Sequence, residues 1–268
     1  MNISRSLAFL SAGVLSLALS TFGLTQPSQA GSVLNDVITR GVLRIATVPS
    51  NPPYSSVNAS GEPEGYDVEI GKRIAAALKV KPEFTMVDTA GRITALQTGR
   101  VDITVADFTN TVERSTAIAF TDPYAVIGSV FMVAKDSPIN SVEELNDAKY
   151  KIGVARGGTT EATAQRVAPN AQLVRFDTVL DAYMALQAGQ VDAHLQDSLK
   201  NASFLKKANG AMRNLDGNFS YEEIGIGLPA GDFDWWRVVN TWVRQFNNSG
   251  ENARLFETYF GYQMPKFN

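Results

Sequence analysis

No cysteine occurs in the 268 residues. That excludes a disulfide framework, a thiol nucleophile, a thiolate metal site and the lipid anchor that is attached to a thiol after an export signal. Histidine is almost as scarce. The one residue, His194, falls mid-strand, so no Ser-His-Asp or Cys-His set and no cluster with metal spacing is visible. No catalytic residue, metal or cofactor is expected. There is no basic run either: 24 Lys and Arg stand against 27 Asp and Glu, for a net charge of −3. This balance argues against nucleic acid as a partner. After residue 30 no apolar run approaches the roughly 20 residues of a membrane span.

The first thirty residues carry one positive side chain (Arg5), an apolar run from Leu7 to Leu19, and Ser28-Gln29-Ala30 as a small-x-small cleavage site. They read as a secretory signal peptide, 1–30, with a periplasmic destination for the remainder. Cleavage after Ala30 removes Arg5 and no acid, which takes the net charge from −3 to −4. An exported chain without disulfides must hold together by its apolar cores, and hydrophobic residues at 44% are enough for two.

A repeat organises the rest. ALQTGRVDITVAD at 95–107 recurs as ALQAGQVDAHLQD at 185–197, with seven of thirteen positions identical. Each copy reads as a helix end, a glycine stop (Gly99, Gly189) and a short strand that finishes on an aspartate. VLRIATVPSNPPY (42–54) precedes the first copy and YKIGVARGGTTEA (150–162) the second. The chain is therefore expected to hold two α/β units with parallel sheets, one helix over GYDVEIGKRIAAALKV, and a capping box at Ser141 and Glu144. Ligands collect beyond the carboxyl ends of such strands. The loops there are PSNPPY, DFTNTVER, RGGTTE and LQDS.

Those loops carry the chemistry. Arg114 offers a planar fork suited to a carboxylate or phosphate. Gly157-Gly158-Thr159-Thr160 opens a helix, whose free N–H groups favour an anion. It lacks the lysine of a phosphate-binding loop, which argues against nucleotide. Asp197, at a strand end, suits an ammonium, and Thr109 can donate or accept a hydrogen bond. An anion site beside a cation site describes an α-amino acid. Taken singly, each group has a plainer role: a solvated arginine, a helix start, a helix cap.

The mature chain, from about Val33 to Phe260, resembles the polar amino-acid-binding proteins of bacterial ABC importers. The carrying motifs are GVLRIAT, PPY, GEPEGYDVEIGKRIAAAL, LQTGRVDITVADFTNTVERS, AFTDPY, IGVARGGTTE and AGQVDAHLQD, in the family's order. The resemblance implies two Rossmann-like α/β lobes joined by a two-stranded hinge, with lobe 1 at 33–129 plus 226–268 and lobe 2 at 130–225. It implies a monomer that captures a free polar amino acid and hands it to an inner-membrane ABC permease. Arg114 then grips the ligand's α-carboxylate and Thr109 contacts its amino group. Asp107 supplies an acceptor, Gly158, Thr159 and Thr160 donate to the carboxylate, and Asp197 binds the ammonium. Asn51, Tyr54 and Arg156 are further candidates, and the hinge is placed near 128–134 and 221–227.

RITALQTG with TNTVER is similar to the aspartate/glutamate-binding branch, which puts Arg92 on the ligand's side-chain carboxylate with Thr89 nearby. A neutral ligand such as glutamine stays open. Val48 stands where basic-ligand members place an acid, which argues against lysine or arginine. The fold also hosts periplasmic cyclohexadienyl dehydratases, whose general acid would fall at Lys200, where no acid is present. A ligand sensor for a membrane receptor would share the same site.

Overall fold

The computed structural model describes residues 32–265; the expected export signal lies outside the described residues. Two five-stranded sheets with helices on their faces form a two-lobe periplasmic binding protein fold. In the first sheet the spatial order is Lys81–Met86, Val42–Thr47, Ile103–Thr104, Gly227–Leu228 and Ala119–Phe120. The second runs Gln172–Phe176, Lys151–Ala155, Ala193–Asp197, Ser129–Ala134 and Met212–Asn214.

The expectation of parallel sheets holds for four strand directions in each and fails for one, Gly227–Leu228 in the first sheet and Ser129–Ala134 in the second, each of which pairs antiparallel on both sides. The reason is topological. Ser129–Ala134 enters its sheet straight from the other lobe, and Gly227–Leu228 returns the same way. Neither uses the helical crossover that parallel neighbours need.

Alternation along the strands shows that both sheet faces are covered. Phe131 and Val133 lie in one core cluster and Met132 in another; Leu43 and Ile45 share a cluster while Ala46 joins a second. Successive side chains point to opposite faces, so each sheet separates two apolar layers. The helix Phe233–Asn248 lays Trp235, Val239, Val243 and Phe246 on the first sheet, an apolar stripe at helical spacing.

The repeat is also visible in hydrogen bonds. Asp102 Oδ2 accepts the amide of Arg44 at 2.8 Å, and Asp192 Oδ2 accepts the amide of Lys151 at 2.7 Å. In return the Asp102 amide donates to the Arg44 carbonyl at 2.8 Å and that of Asp192 to the Lys151 carbonyl at 2.9 Å. Each helix–glycine–strand unit is thus locked to the strand that precedes it in the repeat, Val42–Thr47 or Lys151–Ala155, by the same pair of bonds. The helix Tyr66–Ala77 forms within the expected stretch. Ser141 Oγ accepts the Glu144 amide, but Glu144 reaches back to the amide of Asn140 rather than that of Ser141.

The lobes are joined by an antiparallel ribbon, Ala125–Ile127 against Glu222–Ile224. Its first strand lies ahead of the expected 128–134, a stretch that is already occupied by a strand of the second sheet. Thr109 adds a bridge to Ile224, which ties the DFTNTVER loop to the crossing.

His194 is fully buried, with Nδ1 3.0 Å from the Gly153 carbonyl oxygen. Burial pushes its imidazole down to about 4. An unfolded histidine titrates near 6.5, so between these values the unfolded chain binds the extra proton and stability falls as pH drops. His194 should withdraw about 2 kcal/mol of stability between pH 7 and pH 5. Melting curves at the two pH values should show a smaller fall for His194→Asn, which keeps a donor at the Nδ1 position. Equal falls in both proteins would rule this account out.

Candidate functional site

The DFTNTVER loop leaves the strand Ile103–Thr104 through Asp107, whose φ of +47° lies in the left-handed region, one that aspartate tolerates better than most residues. The Asp107 amide donates to Asp67 Oδ2 at 2.7 Å. Burial, then the charge of Asp107, push the Asp67 carboxyl up to about 8. Two residues on, Thr109 Oγ1 donates to Glu222 Oε2 at 2.7 Å. Thr111 caps the short helix Val112–Ser115 by accepting the Arg114 amide. That turn holds the Arg114 guanidinium 5.0 Å from the centre of the buried Phe108 ring.

Arg114 uses Nη1 on the Thr109 carbonyl (2.8 Å) and Nη2 on the Gly157 carbonyl of the other lobe (3.0 Å). A guanidinium has five N–H groups, so most of the fork is left for an incoming anion. Arg92 differs. Its Nε donates to the Thr89 carbonyl, Nη1 to those of Ala106 and Asp107, and Nη2 lies 3.5 Å from that of Gly157. Arg92 therefore lies in the cleft wall, but most of its fork braces the loop. Burial, then the charge of Arg114, draw its guanidinium down to about 9, and burial also lowers Arg114. Two crowded, desolvated cations favour an anion between them.

From the second lobe, Gly158 precedes the helix Thr159–Val167 and no side chain caps it. The first helical N–H groups, at Thr159 and Thr160, have no intrahelical acceptor and lie at the cleft opposite Arg114. Gly157 is required on two grounds: its φ is +74°, and a Cβ there would stand 3.0 Å from Ala90 Cα of the first lobe.

Glu222, on the second crossing strand, was not anticipated. Its carboxylate accepts hydroxyls from Thr109 (2.7 Å), Thr159 (2.6 Å), Ser129 (3.0 Å) and Ser220 (2.8 Å). Burial opposes its charge, but the four hydroxyls outweigh that and hold the carboxyl below its usual range. A single acid thus gathers a threonine from each lobe. The only hint in the sequence was its place near the second lobe crossing.

Asp197 caps the helix Ser198–Ala208, its Oδ1 accepting the Lys200 amide at 2.8 Å. Its Oδ2 lies 2.9 Å from Lys200 Nζ, which is also 2.5 Å from Asp107 Oδ2. The terminal aspartates of the two repeats therefore meet, across the lobes, on one buried ammonium. Burial works against that charge, but Asp107 and Asp197 together hold it above the usual lysine range. Lys200 fills the middle of the cleft, and the space left there is about 30 Å³, room for about two water molecules.

Thr89 and Asn51 also line this space, and Asn51 Nδ2 lies 3.4 Å from Asp107 Oδ2. Two candidates are not brought to it. Tyr54 is fully buried behind the cleft, with edge contacts to Tyr66 and Phe260. Arg156 is more than half exposed and faces Asp177 at 3.7 Å.

A sequence profile described as bacterial extracellular solute-binding proteins, family 3, matches residues 43–262. The L-cystine-binding protein TcyJ of Escherichia coli (strain K12) is 27% identical over 256 residues, covering 95% of this chain and 96% of that one. The glutamine-binding protein of Geobacillus stearothermophilus is 32% identical over 209 residues, 76% and 78% of the two chains. Among solved structures, the ancestral amino acid-binding protein AncCDT-1, a precursor of cyclohexadienyl dehydratase, superposes with a TM-score of 0.80. It is 33% identical, and the match covers 85% of this chain and all of that one.

Proposed function

Since the chain belongs to family 3 of the bacterial extracellular solute-binding proteins, we propose that it captures a free polar α-amino acid and delivers it to an ABC permease in the inner membrane. The observation that carries this reading is the convergence, in one cleft, of an anion corner and a cation corner drawn from both lobes. Arg114 and the N–H groups of Thr159 and Thr160 form the first. Asp197 and Asp107, now occupied by the Lys200 ammonium, form the second. The α-carboxylate docks on the free N–H groups of Arg114, and the α-ammonium takes the place of Nζ on Asp197.

Space decides the order of events. The inner space around Lys200, about 30 Å³, admits an amino acid only when the lobes part about the ribbon or the Lys200 side chain withdraws. Ligand then favours the closed form through contacts made only there: the Thr159 and Thr160 amides on one side, Arg114 on the other. The moving bodies are lobe 1, 33–129 plus 226–268, and lobe 2, 130–225, with the hinge at the ribbon. The chain would act in the periplasm as a monomer.

For the side chain, an acid is the finer reading, with aspartate or glutamate first and glutamine next. Its support is the Lys200 ammonium rather than Arg92, whose fork is largely committed to carbonyls. The relatives named for cystine and glutamine favour a polar ligand without specifying its charge. A dehydratase would need a general acid where Lys200 carries a paired ammonium, so the binding reading is preferred.

Isothermal titration of the mature chain, unfolded and refolded to strip bound ligand, against the common amino acids and arogenate tests the proposal. One-to-one binding of a polar amino acid is expected. Consumption of arogenate without any amino-acid binding would overturn it.

A further inference from the structure

We propose that Lys200 is a specificity determinant, a tethered cation that closes this cleft to ligands with a positively charged side chain. The inference rests on the amino-acid reading for its natural ligand. Its physical basis is the supply of carboxylates.

Besides the rear-lying Asp67, two buried carboxylates, Asp197 and Glu222, and the half-buried Asp107 face the cleft. Glu222 is saturated by four hydroxyl donors. Asp197 spends one oxygen on the Lys200 amide and the other on the Lys200 ammonium. Asp107 holds the same ammonium at 2.5 Å. When a ligand's α-ammonium takes Asp197, Lys200 stays paired with Asp107 through Oδ2; Asp107 Oδ1 has no partner, but it belongs to a carboxylate whose charge Lys200 already neutralises. A lysine or arginine ligand would have to bury an unpaired charge beside Nζ, and like charges at such range are strongly unfavourable.

The charges balance in the same sense. Arg92, Arg114 and Lys200 offset Asp107, Asp197 and Glu222, while Asp67 lies behind the Asp107 amide. An α-amino acid with an uncharged side chain leaves that balance unchanged, and an acidic one can share the Lys200 ammonium with Asp107. Only a cationic side chain finds each of these carboxylates already neutralised or saturated. Lys200 cannot easily step aside into water, since its side chain is 3% exposed and its ammonium stands 5.5 Å from the centre of the Tyr54 ring.

Removing the tethered cation should therefore invert the preference. In Lys200→Gln, Asp107 is released to accept a ligand ammonium. Titration of the mature protein should show the affinity ratio of lysine or arginine to glutamine rising about a hundredfold over wild type, the order seen for close charge pairs. Asp107→Asn approaches the same question from the other side. It keeps Lys200 and frees it, so affinity for glutamate should rise relative to glutamine while lysine stays excluded.

Should Lys200→Gln not fold, Asp107→Asn still decides the matter: an unchanged glutamate-to-glutamine ratio would overturn the inference. So would a folded Lys200→Gln that rejects cationic ligands as wild type does. If wild type binds no amino acid at all, the amino-acid reading fails separately. Lys200 is then judged with 1,5-diaminopentane, whose ammonium groups need only carboxylates. Binding to Lys200→Gln but not to wild type supports the inference, and no gain refutes it.

Discussion

Replacing Arg114 by alanine is expected to weaken amino-acid binding by about a hundredfold or more. Truncating one partner of a buried, charge-assisted pair costs roughly 2–5 kcal/mol, and each 1.4 kcal/mol is about tenfold in affinity. Arg114 is the cleft cation with most of its donors uncommitted: its guanidinium donates to the Thr109 and Gly157 carbonyls, whereas that of Arg92 is tied to three carbonyls and lies near a fourth. Its loss also removes a bond that crosses between the lobes. Arg114→Lys should recover only a small part, because an ammonium keeps the charge without the planar fork. Titration with the cognate amino acid gives the number. A melting curve guards against a trivial result, since the two carbonyls border the cleft and can turn to water. Wild-type affinity in Arg114→Ala would mean that the carboxylate is held elsewhere.

The second large effect is expected at Glu222. Alanine there strands four hydroxyls, from Thr109, Thr159, Ser129 and Ser220. Hydrogen bonds to a charged group are worth roughly 1.5–3 kcal/mol each, though not additively and less where water can replace the partner. A net loss of about 2–3 kcal/mol, or a melting temperature lower by roughly 5–10 °C, is therefore expected. Binding should weaken as well, because Thr109 and Thr159 come from opposite lobes and are held together by this one carboxylate. Glu222→Gln, with one acceptor oxygen and no charge, should fall between. The informative comparison is the melting shift with and without saturating ligand. A purely structural role would lower both by the same amount, whereas a role in closure shrinks the ligand-induced rise. An unchanged melting temperature in Glu222→Ala would refute the network as a source of stability.

Much of the architecture was legible in the residues because it depends on local chemistry repeated in register. The 95–107 and 185–197 copies announce two units. The bonds that Asp102 and Asp192 make to Arg44 and Lys151 follow from the same aspartate at the same point of each copy. Strand-end loops were identifiable as the site because α/β connectivity brings them to one edge. The direction of Ser129–Ala134 and Gly227–Leu228 was not legible, since periodicity marks a strand but not which way it enters a sheet.

The sequence by itself determined that Arg114, Thr159, Thr160 and Asp197 would share a cleft, because each lies just past a strand whose partners its pattern reveals. Only the tertiary structure decided what those groups face. Lys200 marked only the place where a dehydratase's general acid is missing until Asp107, 93 residues away, met its ammonium. Glu222 was only one position of the expected 221–227 hinge until hydroxyls from both lobes converged on it. Arg92 looked free until the Ala106 and Asp107 carbonyls turned towards it. The physical reason is the same in all three cases. Charge and hydrogen-bonding capacity belong to a residue, but whether they are spent or available depends on which distant groups the fold brings within about 3 Å.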